Sequence, residues 1–412
     1  MKAVFVSRRL LPEGGLSLAT FRLAAALVEQ GHEAEVVHSA GEPPAEFAGL
    51  ARRIAADGEG DGVAPARLSR ELERLDPSLL LVATPLADDL EAARAAGPTL
   101  LHTHLHTGVC ADRSRYWSHL RRPCGVKAGR KCAVLRPLLG CGDLKETVSL
   151  ARIAEQGRIL AALREGGAGV LCVSSDQAEL YRGHGVPGDR VGVLPNLGLR
   201  VGAGELAAAA EATPVQWRRA TAFFGRLSKQ KGGQVLAPLA AALQPEARLR
   251  VFGEGYMEAR LAAELPAGVL CGQISQEAVT GVLMWARSVL FPSLWPEPGG
   301  IVGLDAQLIG VPLAAFAVGA PRFWPDAELF EPGDVEAMAA WLSEQEPREL
   351  SRDPEAVAAA QAEYWARVGS YGAELLAEFA SAARFAAGDG PAERLISACA
   401  GVSLGRPSSR SG

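Results

Sequence analysis

Residues 291–312 read FPSLWPEPGGIVGLDAQLIGVP, and this stretch decides the expected fold. The apolar run that ends at Phe291 predicts a buried strand, the Pro- and Gly-rich segment predicts a turn, and a helical pattern begins near Ile301. Such a junction presents backbone N–H groups and the positive end of a helix dipole, which suit an anion. Glu297 and Asp305 lie on either side of the turn. A phosphate alone would not need these two acids, whereas a ligand that also carries sugar hydroxyls would.

Length and composition indicate a folded protein with two domains. The chain has 412 residues, of which 48% are hydrophobic and 22% charged, and this suffices for two cores. A net charge of −5 argues against a general nucleic-acid partner. No apolar run approaches the ~20 residues that span a bilayer. The N-terminus lacks the charge order of a signal peptide, so we expect a cytoplasmic protein, with peripheral membrane contact left open.

Strands and helices alternate along both halves of the chain, which predicts an α/β protein with two doubly wound parallel sheets. A Gly- and Ala-rich stretch from Pro195 to about Val215 predicts a linker that leads into a helix. Long helical patterns follow from about Pro354 to near residue 387, and a polar tail follows those. The predicted strands are Ala3–Val6, Ala34–Val37, Leu79–Ala83, Thr99–His102, Val170–Val173, Arg190–Leu194, Ala222–Phe224, Leu249–Phe252, Gly268–Leu270, Val289–Phe291 and Pro312–Phe316.

Two further loops have residues suited to a phosphate. Residues 223–233 read FFGRLSKQKGG, and their Arg226 and Lys231 are two cations that can stabilise a departing diphosphate without a metal. The same residues could equally form a basic turn that caps a surface helix. Gly14 and Gly15 follow the first strand, where they allow a ligand to approach the backbone or simply permit a tight turn.

Histidine and cysteine are concentrated between residues 102 and 141. His102, His104 and His106 alternate, so a strand would place all three on one face, where they could bind a metal. Four of the seven cysteines are candidates for a structural zinc site, although no C-x2-C pair is present and isolated buried thiols are the simpler interpretation. These four are Cys110, Cys124, Cys132 and Cys141. Basic residues also crowd positions 113–136, which could face an anionic acceptor, a membrane or only solvent.

Several of these motifs resemble those of family 4 of the retaining glycosyltransferases, also described as glycosyl transferases group 1. In the family signature E-P-F-G-x-x-x-x-E, Glu297, Pro298 and Gly300 match, Gly299 replaces Phe, and Asp305 replaces the second Glu. Residues 225–232 match the family's G-R-L-x-x-x-K-G. Residues 12–15 match P-x-x-G-G, and residues 104–110 match H-x-x-x-x-x-C. The third position of the family's P-N-G motif differs, because Leu197 stands where Gly is usual.

The resemblance implies the GT-B fold, in which two facing Rossmann-like domains leave a cleft and a C-terminal helix crosses back. Residues 1–198 would bind the acceptor, 199–353 the nucleotide sugar, 354–387 would pack against the first domain, and 388–412 would be a tail. The implied activity is retaining transfer of a hexose-type sugar from a UDP- or GDP-sugar. The acceptor would be a glycan, glycolipid or small molecule, in polysaccharide or other glycoconjugate biosynthesis.

The resemblance also implies residue roles. Glu297 and His104 would contact the donor sugar, and Arg226 and Lys231 would bind the diphosphate. Asp305, Gly300 and Ile301 would contact the ribose and nucleotide, with Gly14 and Gly15 facing the ligand. Neither a catalytic metal nor a further cofactor is implied. A nucleotide-sugar 2-epimerase of the same fold and a catalytically degenerate GT-B partner protein are the alternatives.

Overall fold

The computed structural model describes residues 1–10, 15–57, 62–84, 86–141, 150–346 and 351–381. Gly14 and the predicted tail, residues 388–412, lie outside these ranges. The strands of the first half are β1 (Lys2–Val6), β2 (Glu33–His38), β3 (Ala51–Arg53), β4 (Leu79–Val82), β5 (Thr99–Thr103), β6 (Tyr116–Trp117), β7 (Arg122–Pro123), β8 (Gly169–Cys172) and β9 (Val191–Val193). The helices described in this half are α1 (Gly15–Glu29), α2 (Pro65–Arg74), α3 (Ala87–Ala96), α4 (Lys131–Leu139), α5 (Leu150–Glu165) and α6 (Ser175–Gly183).

The first half forms a parallel sheet in the order β3-β2-β1-β4-β5-β8-β9, and β6 and β7 form a separate antiparallel hairpin. Helices cover both faces of the sheet, so its central strands are apolar throughout. In β4, Leu79 and Leu81 enter one core cluster and Leu80 and Val82 the other. This alternation shows that the strand is buried on both faces.

The second half repeats this architecture with its own sheet and core. Its strands are β10 (Thr221–Phe224), β11 (Leu249–Phe252), β12 (Leu270–Gly272), β13 (Ser288–Phe291), β14 (Leu313–Phe316) and β15 (Ala327–Phe330), in the parallel order β12-β11-β10-β13-β14-β15. The helices are α7 (Ala203–Ala212), α8 (Gly233–Ala242), α9 (Glu258–Glu264), α10 (Gln276–Trp285), α11 (Ile301–Ile309) and α12 (Val335–Glu344). The predicted pair of doubly wound sheets is confirmed.

The last described helix, α13 (Pro354–Ala380), returns from the second half to the first. Its Trp365 and Leu376 are buried in the same cluster as Phe5 of β1. The indole Nε1 of Trp365 also donates a hydrogen bond of 2.9 Å to the carbonyl of Gly198, in the linker between the sheets. This helix therefore completes the core of the first half and holds the linker in place.

The sequence did not predict the edge strands β3 and β15. Strand β3 has three residues, of which Arg52 and Arg53 are exposed, so it carries no apolar pattern. Helix α13 ends at Ala380, short of the predicted limit at residue 387, and residues 382–387 lie outside the described ranges. The domain limits at 198/199 and 353/354 stay predictions. None of the described helices is both long and apolar enough to cross a membrane.

Candidate active site

The loops at the carboxyl ends of the two sheets meet each other. A side chain added at Gly15 would place its Cβ 3.6 Å from Cδ1 of Ile301, so the start of α1 faces the start of α11. The hydroxyl of Tyr116, in the first half, donates to the carbonyl of Lys229 in the second at 3.4 Å. In open α/β sheets, ligands bind outside the carboxyl ends of the strands. This junction is therefore the candidate site.

Glu297 and Lys231 form an ion pair at the junction. Nζ of Lys231 donates to Oε2 of Glu297 at 2.6 Å. The same oxygen accepts from the indole of Trp295 at 2.8 Å and from the hydroxyl of Ser293 at 3.2 Å. Three donors thus fix one carboxylate oxygen, and Oε1 has no hydrogen bond within the described ranges. The structure brings these two predicted site residues together.

Glycines at the two loops make this approach possible. Gly232, next to Lys231, has φ of +80°, and a Cβ there would lie 2.0 Å from the carbonyl oxygen of Pro292. Gly300 caps α11 with φ of +62°, where a Cβ would lie 2.7 Å from the ring of Trp324. Only glycine suits both the left-handed backbone and the contact. The backbones of the two loops are therefore in close contact, which places Lys231 beside Glu297.

Arg226 lies on the same loop as Lys231 but is separate from the ion pair. Its side chain is exposed, whereas that of Lys231 is 21% exposed. The two cations that the motif predicted therefore differ in setting. Lys231 is held against the carboxylate, with Nζ also 5.5 Å from the centroid of the Trp295 ring.

Asp305 occupies a different environment from Glu297. Its side chain is buried on α11, and Oδ1 accepts a hydrogen bond of 2.7 Å from the backbone N–H of Leu199 in the linker. Burial raises the pKa of this carboxyl, although Arg22 of α1 opposes the shift. Oδ2 is buried and has no hydrogen bond within the described ranges. Asp305 therefore anchors the linker here, and the predicted ribose contact stays a prediction.

The unusual Gly299 has a steric explanation. A Cβ at this position would lie 2.4 Å from Nδ2 of Asn196 and 3.2 Å from a methyl group of Val173. The side chain of Asn196 therefore occupies the space that a side chain at position 299 would need.

His102 and His104 lie side by side where β5 ends. Their ring centroids are 4.3 Å apart. Burial lowers the pKa of His104 to about 4 and that of His102 well below its usual value, so both rings are neutral near pH 7. Nε2 of His104 is buried and has no hydrogen bond to a described residue. The ring of His104 therefore keeps one nitrogen whose hydrogen bond no described residue fills.

For His106 the sequence offered only the possible metal trio, whereas the structure shows a contact with the Glu297 loop. Its Nε2 donates a hydrogen bond of 2.8 Å to the carbonyl of Pro296, which precedes Glu297. Its ring also lies edge-on to Trp295, with centroids 5.9 Å apart. Burial lowers its pKa to about 4, partly offset by the hydrogen bond to Pro296. This buried histidine links the first half directly to the Glu297 loop.

The four clustered cysteines line one cavity beside α4. The cavity wall also contains Arg115, Arg136 and Tyr116. Burial raises the pKa of Cys110 to about 11, and burial together with the neighbouring thiols raises that of Cys141 to about 12. In the part of the chain that the structure describes, no group of three or more His, Cys, Asp or Glu side chains is arranged to hold a metal ion. Zinc binding would require the thiols to move together across this cavity.

Comparison with known proteins agrees with this geometry. Residues 218–344, which contain both loops of the ion pair, match the family model described as "Glycosyl transferases group 1". No curated protein matches the sequence. The chain is similar in structure to HepE of Anabaena in complex with UDP-glucose, with 16% identity, a TM-score of 0.62, and coverage of 92% of this chain and 99% of that one.

Two other solved structures resemble the chain over nearly their whole length. Sucrose-phosphate synthase from Thermosynechococcus elongatus has 15% identity and a TM-score of 0.61, and the match covers 93% of this chain and 100% of that one. WaaG, a glycosyltransferase involved in lipopolysaccharide biosynthesis, has 14% identity and a TM-score of 0.54, with 90% and 95% covered. The GT-B fold and the resemblance to glycosyl transferases group 1 are confirmed.

Proposed function

We propose that this protein is a retaining glycosyltransferase that moves a hexose-type sugar from a nucleotide-diphosphate sugar to an acceptor hydroxyl. The ion pair between Lys231 and Glu297 carries the proposal, because it places a cation for phosphate and a carboxylate for hydroxyls at one point of the cleft. The UDP-glucose complex of the similar HepE structure supports a UDP-sugar as donor. A GDP-sugar is the alternative donor.

The diphosphate of the donor would lie between the two loops of the second domain. Lys231 and the exposed Arg226 supply positive charge, and the backbone at Gly300 and Ile301 supplies the amino end of α11. These groups stabilise the charge that develops on the leaving diphosphate. The bound phosphate would share Lys231 with Glu297. No metal is required for this step.

Glu297 and His104 would position the sugar. Oε2 of Glu297 is fixed by three donors, so Oε1 can accept from hydroxyls of the hexose. The neutral ring of His104 would contact the sugar near its reacting carbon. Asp305 would accept from the ribose through Oδ2. Gly15, facing Ile301, and Gly14 would let the first domain approach the ligand.

The proposed reaction is a displacement on one face of the sugar. The bond from the anomeric carbon to the phosphate oxygen breaks, and a bond from that carbon to the acceptor oxygen forms. The departing phosphate oxygen takes the acceptor's proton, so the anomeric configuration is kept. The first domain would bind the acceptor, which we propose is a glycan, glycolipid or small molecule used in building cell-envelope polysaccharide or another glycoconjugate.

A donor screen tests this proposal. Purified protein is incubated with UDP- and GDP-sugars and a mixture of sugar and glycolipid acceptors, and the product is analysed by NMR. We expect nucleotide release, transfer to an acceptor and an unchanged anomeric configuration. Glu297→Gln should lower the rate by ~10²–10³ while free nucleoside diphosphate still binds, and Glu254→Gln, an exposed acid on a neighbouring turn, should not.

Each other outcome contradicts the proposal in a distinct way. Interconversion of two UDP-sugars without transfer identifies a 2-epimerase. If the protein neither binds nor turns over any donor, it is a degenerate partner protein. Transfer with inversion overturns the proposed mechanism, and unchanged activity of Glu297→Gln removes this residue from the site.

A further inference from the structure

Helix α4 presents large apolar side chains to solvent. Val134 is 63% exposed and Leu138 is 66% exposed. They are four residues apart, so they lie on one face of the helix. Of the three positions between them, Leu135 and Arg136 are half-buried and Pro137 is exposed. An outward apolar stripe of this kind is unusual on a surface helix, whose apolar face normally packs against the core.

A neighbouring loop extends this stripe. The backbone of Ser118 and His119 is hydrogen-bonded to Gly140 and Leu139 at the end of α4, with N···O distances of 2.7 and 3.2 Å. The next residue, Leu120, is 44% exposed. The loop and the end of α4 thus form one surface with three apolar side chains.

Exposed cations border these apolar side chains. Arg130 and Lys131 precede Val134 by about one helical turn, and Arg121 and Arg122 follow Leu120. None of these four forms an ion pair within the described ranges, although Arg122 lies over the Trp117 ring at 5.5 Å. The protein as a whole carries a net charge of −5, so this concentration of positive charge is local.

We propose that this surface docks on an anionic lipid bilayer. Lys and Arg side chains are attracted to anionic headgroups, each strengthening binding about fivefold. Apolar side chains on the same face enter the interface between headgroups and acyl chains. A nucleic acid would match the cations but leave Val134 and Leu138 in water. The combination of the two side-chain types therefore favours lipid over a polyanion.

The position of the surface deepens the proposed function. The surface belongs to the segment between β5 and α5, which follows His104 in the chain, on the domain that would bind the acceptor. Docking would hold the acceptor side of the cleft at the bilayer, where a lipid-linked acceptor lies. This consequence rests on the proposed transfer reaction, whereas lipid binding itself can be measured without turnover.

Co-sedimentation of the full chain with vesicles tests the proposal. The vesicles contain phosphatidylcholine alone or phosphatidylcholine mixed equally with phosphatidylglycerol, each at low and high salt. We expect binding only to the anionic vesicles and weaker binding at high salt. The double variant Arg130→Gln/Lys131→Gln should weaken binding by about thirtyfold, and Val134→Ser/Leu138→Ser by about tenfold.

Matched controls separate this surface from general effects. Arg70→Gln removes an exposed cation from α2, and Val215→Ser removes an apolar side chain that is 76% exposed in the second domain. Both should bind lipid as the parent does. All variants should transfer sugar to a water-soluble acceptor at the parent's rate, if the proposed function holds.

Several results would overturn the proposal. The proposal is wrong if the protein does not bind the anionic vesicles. It is also wrong if the two double variants bind them as tightly as the parent and the controls do. Binding to an RNA or to heparin without binding to lipid would assign the surface to a polyanion. Concentration-dependent dimerisation that Val134→Ser/Leu138→Ser abolishes would assign it to a second copy of the chain. If the parent binds lipid but transfers no sugar, only the proposed function is contradicted.

Discussion

At the residue scale, a short series of contacts links the two domains through Glu297. Lys231 and Trp295 both donate to Oε2 of Glu297. Trp295 lies against the ring of His106, and His106 donates to the carbonyl of Pro296. The carboxylate that would hold the sugar is therefore supported from the second domain by side chains and from the first domain by a buried histidine. Replacing His106 should therefore alter how Glu297 holds the sugar, although His106 itself does not contact the sugar.

Replacing His106 by Leu tests this link. The change leaves the carbonyl of Pro296 without its donor, and we expect a loss of about 1–3 kcal/mol in the free energy of unfolding. We also expect kcat to fall while the KM for the donor changes little, because Glu297 loses its positioning and Lys231 keeps its place. His106→Gln, which can donate to the same carbonyl, should restore most of kcat. Urea unfolding and steady-state kinetics measure the two effects.

His119→Leu serves as the control, since His119 is exposed. If His106→Leu and His106→Gln reduce kcat equally, the hydrogen bond to Pro296 has no positioning role. A rise in KM alone would point instead to a contact with the donor.

The sequence predicted some of these residues and could not predict others. The motifs indicated that Glu297 and Lys231 belong to one site, and the structure places their charged groups 2.6 Å apart. The role of His106 was hidden, because its partner is a backbone carbonyl 190 residues away. For Asp305, the sequence predicted the position but not the hydrogen bond. Its spacing from Glu297 fixed its place on α11, but spacing does not reveal that its oxygen accepts from the linker.

At the scale of elements, the segment between β5 and α5 departs most from the regular alternation of strands and helices. The hairpin of β6 and β7 and helix α4 have little apolar pattern of their own, and α4 has no fully buried residue. The side chains of Cys110, Cys124, Cys132 and Cys141 line one cavity in this segment. The sequence showed that these cysteines are close along the chain, and only the fold shows that they face each other.

The thiols of Cys110 and Cys141 should react slowly with iodoacetamide near neutral pH. Their pKa values are raised to about 11 and about 12, and only the thiolate is the nucleophile. The rate should rise about tenfold for each pH unit below the pKa. Mass spectrometry of the alkylated peptides measures each site, with urea-unfolded protein as the reference for free reaction.

Zinc is assayed on the same samples, because a metal bound by four thiolates would also protect them. Less than about a tenth of an equivalent of zinc in protein purified without chelator excludes the predicted zinc site. Fast alkylation of the folded protein near neutral pH would contradict the burial of the two thiols.

At the scale of the whole molecule, the two sheets are held by the linker and by α13. Three groups fix the linker: Trp365 donates to Gly198, Tyr364 donates to Asn196, and Asp305 accepts from Leu199. The alternation of strands and helices made the pair of sheets predictable. The path of the linker was not predictable, because its hydrogen bonds come from two helices, α11 and α13, that are distant in sequence.

The buried histidines near this junction make the stability of the molecule depend on pH. His104 and His106 have pKa values of about 4 in the folded protein, below the value of 6.5 for an unperturbed histidine. Between these values the unfolded chain binds more protons, so stability rises with pH. The contribution is complete above about pH 6.5 and is lost as the pH falls towards about 4. It amounts to at most about 3 kcal/mol for each ring.

We therefore expect urea unfolding to show lower stability at about pH 5 than at about pH 7. The buried Asp305, whose pKa is raised, acts in the opposite direction and reduces the difference. The decline should be smaller in His106→Leu than in the parent. Equal or greater stability of the parent at the lower pH would contradict the burial of these rings.

Isothermal titration calorimetry with UDP measures whether the Lys231 loop holds the diphosphate of a nucleotide sugar. Lys231→Met removes the cation beside Glu297. Lys229→Met, two residues away on the same loop, is the matched control. We expect the parent and Lys229→Met to bind UDP, or GDP if that is the donor base, and Lys231→Met to lose at least about tenfold in affinity. Equal affinity of Lys231→Met and the parent, or failure of the parent to bind either nucleotide, would contradict this expectation.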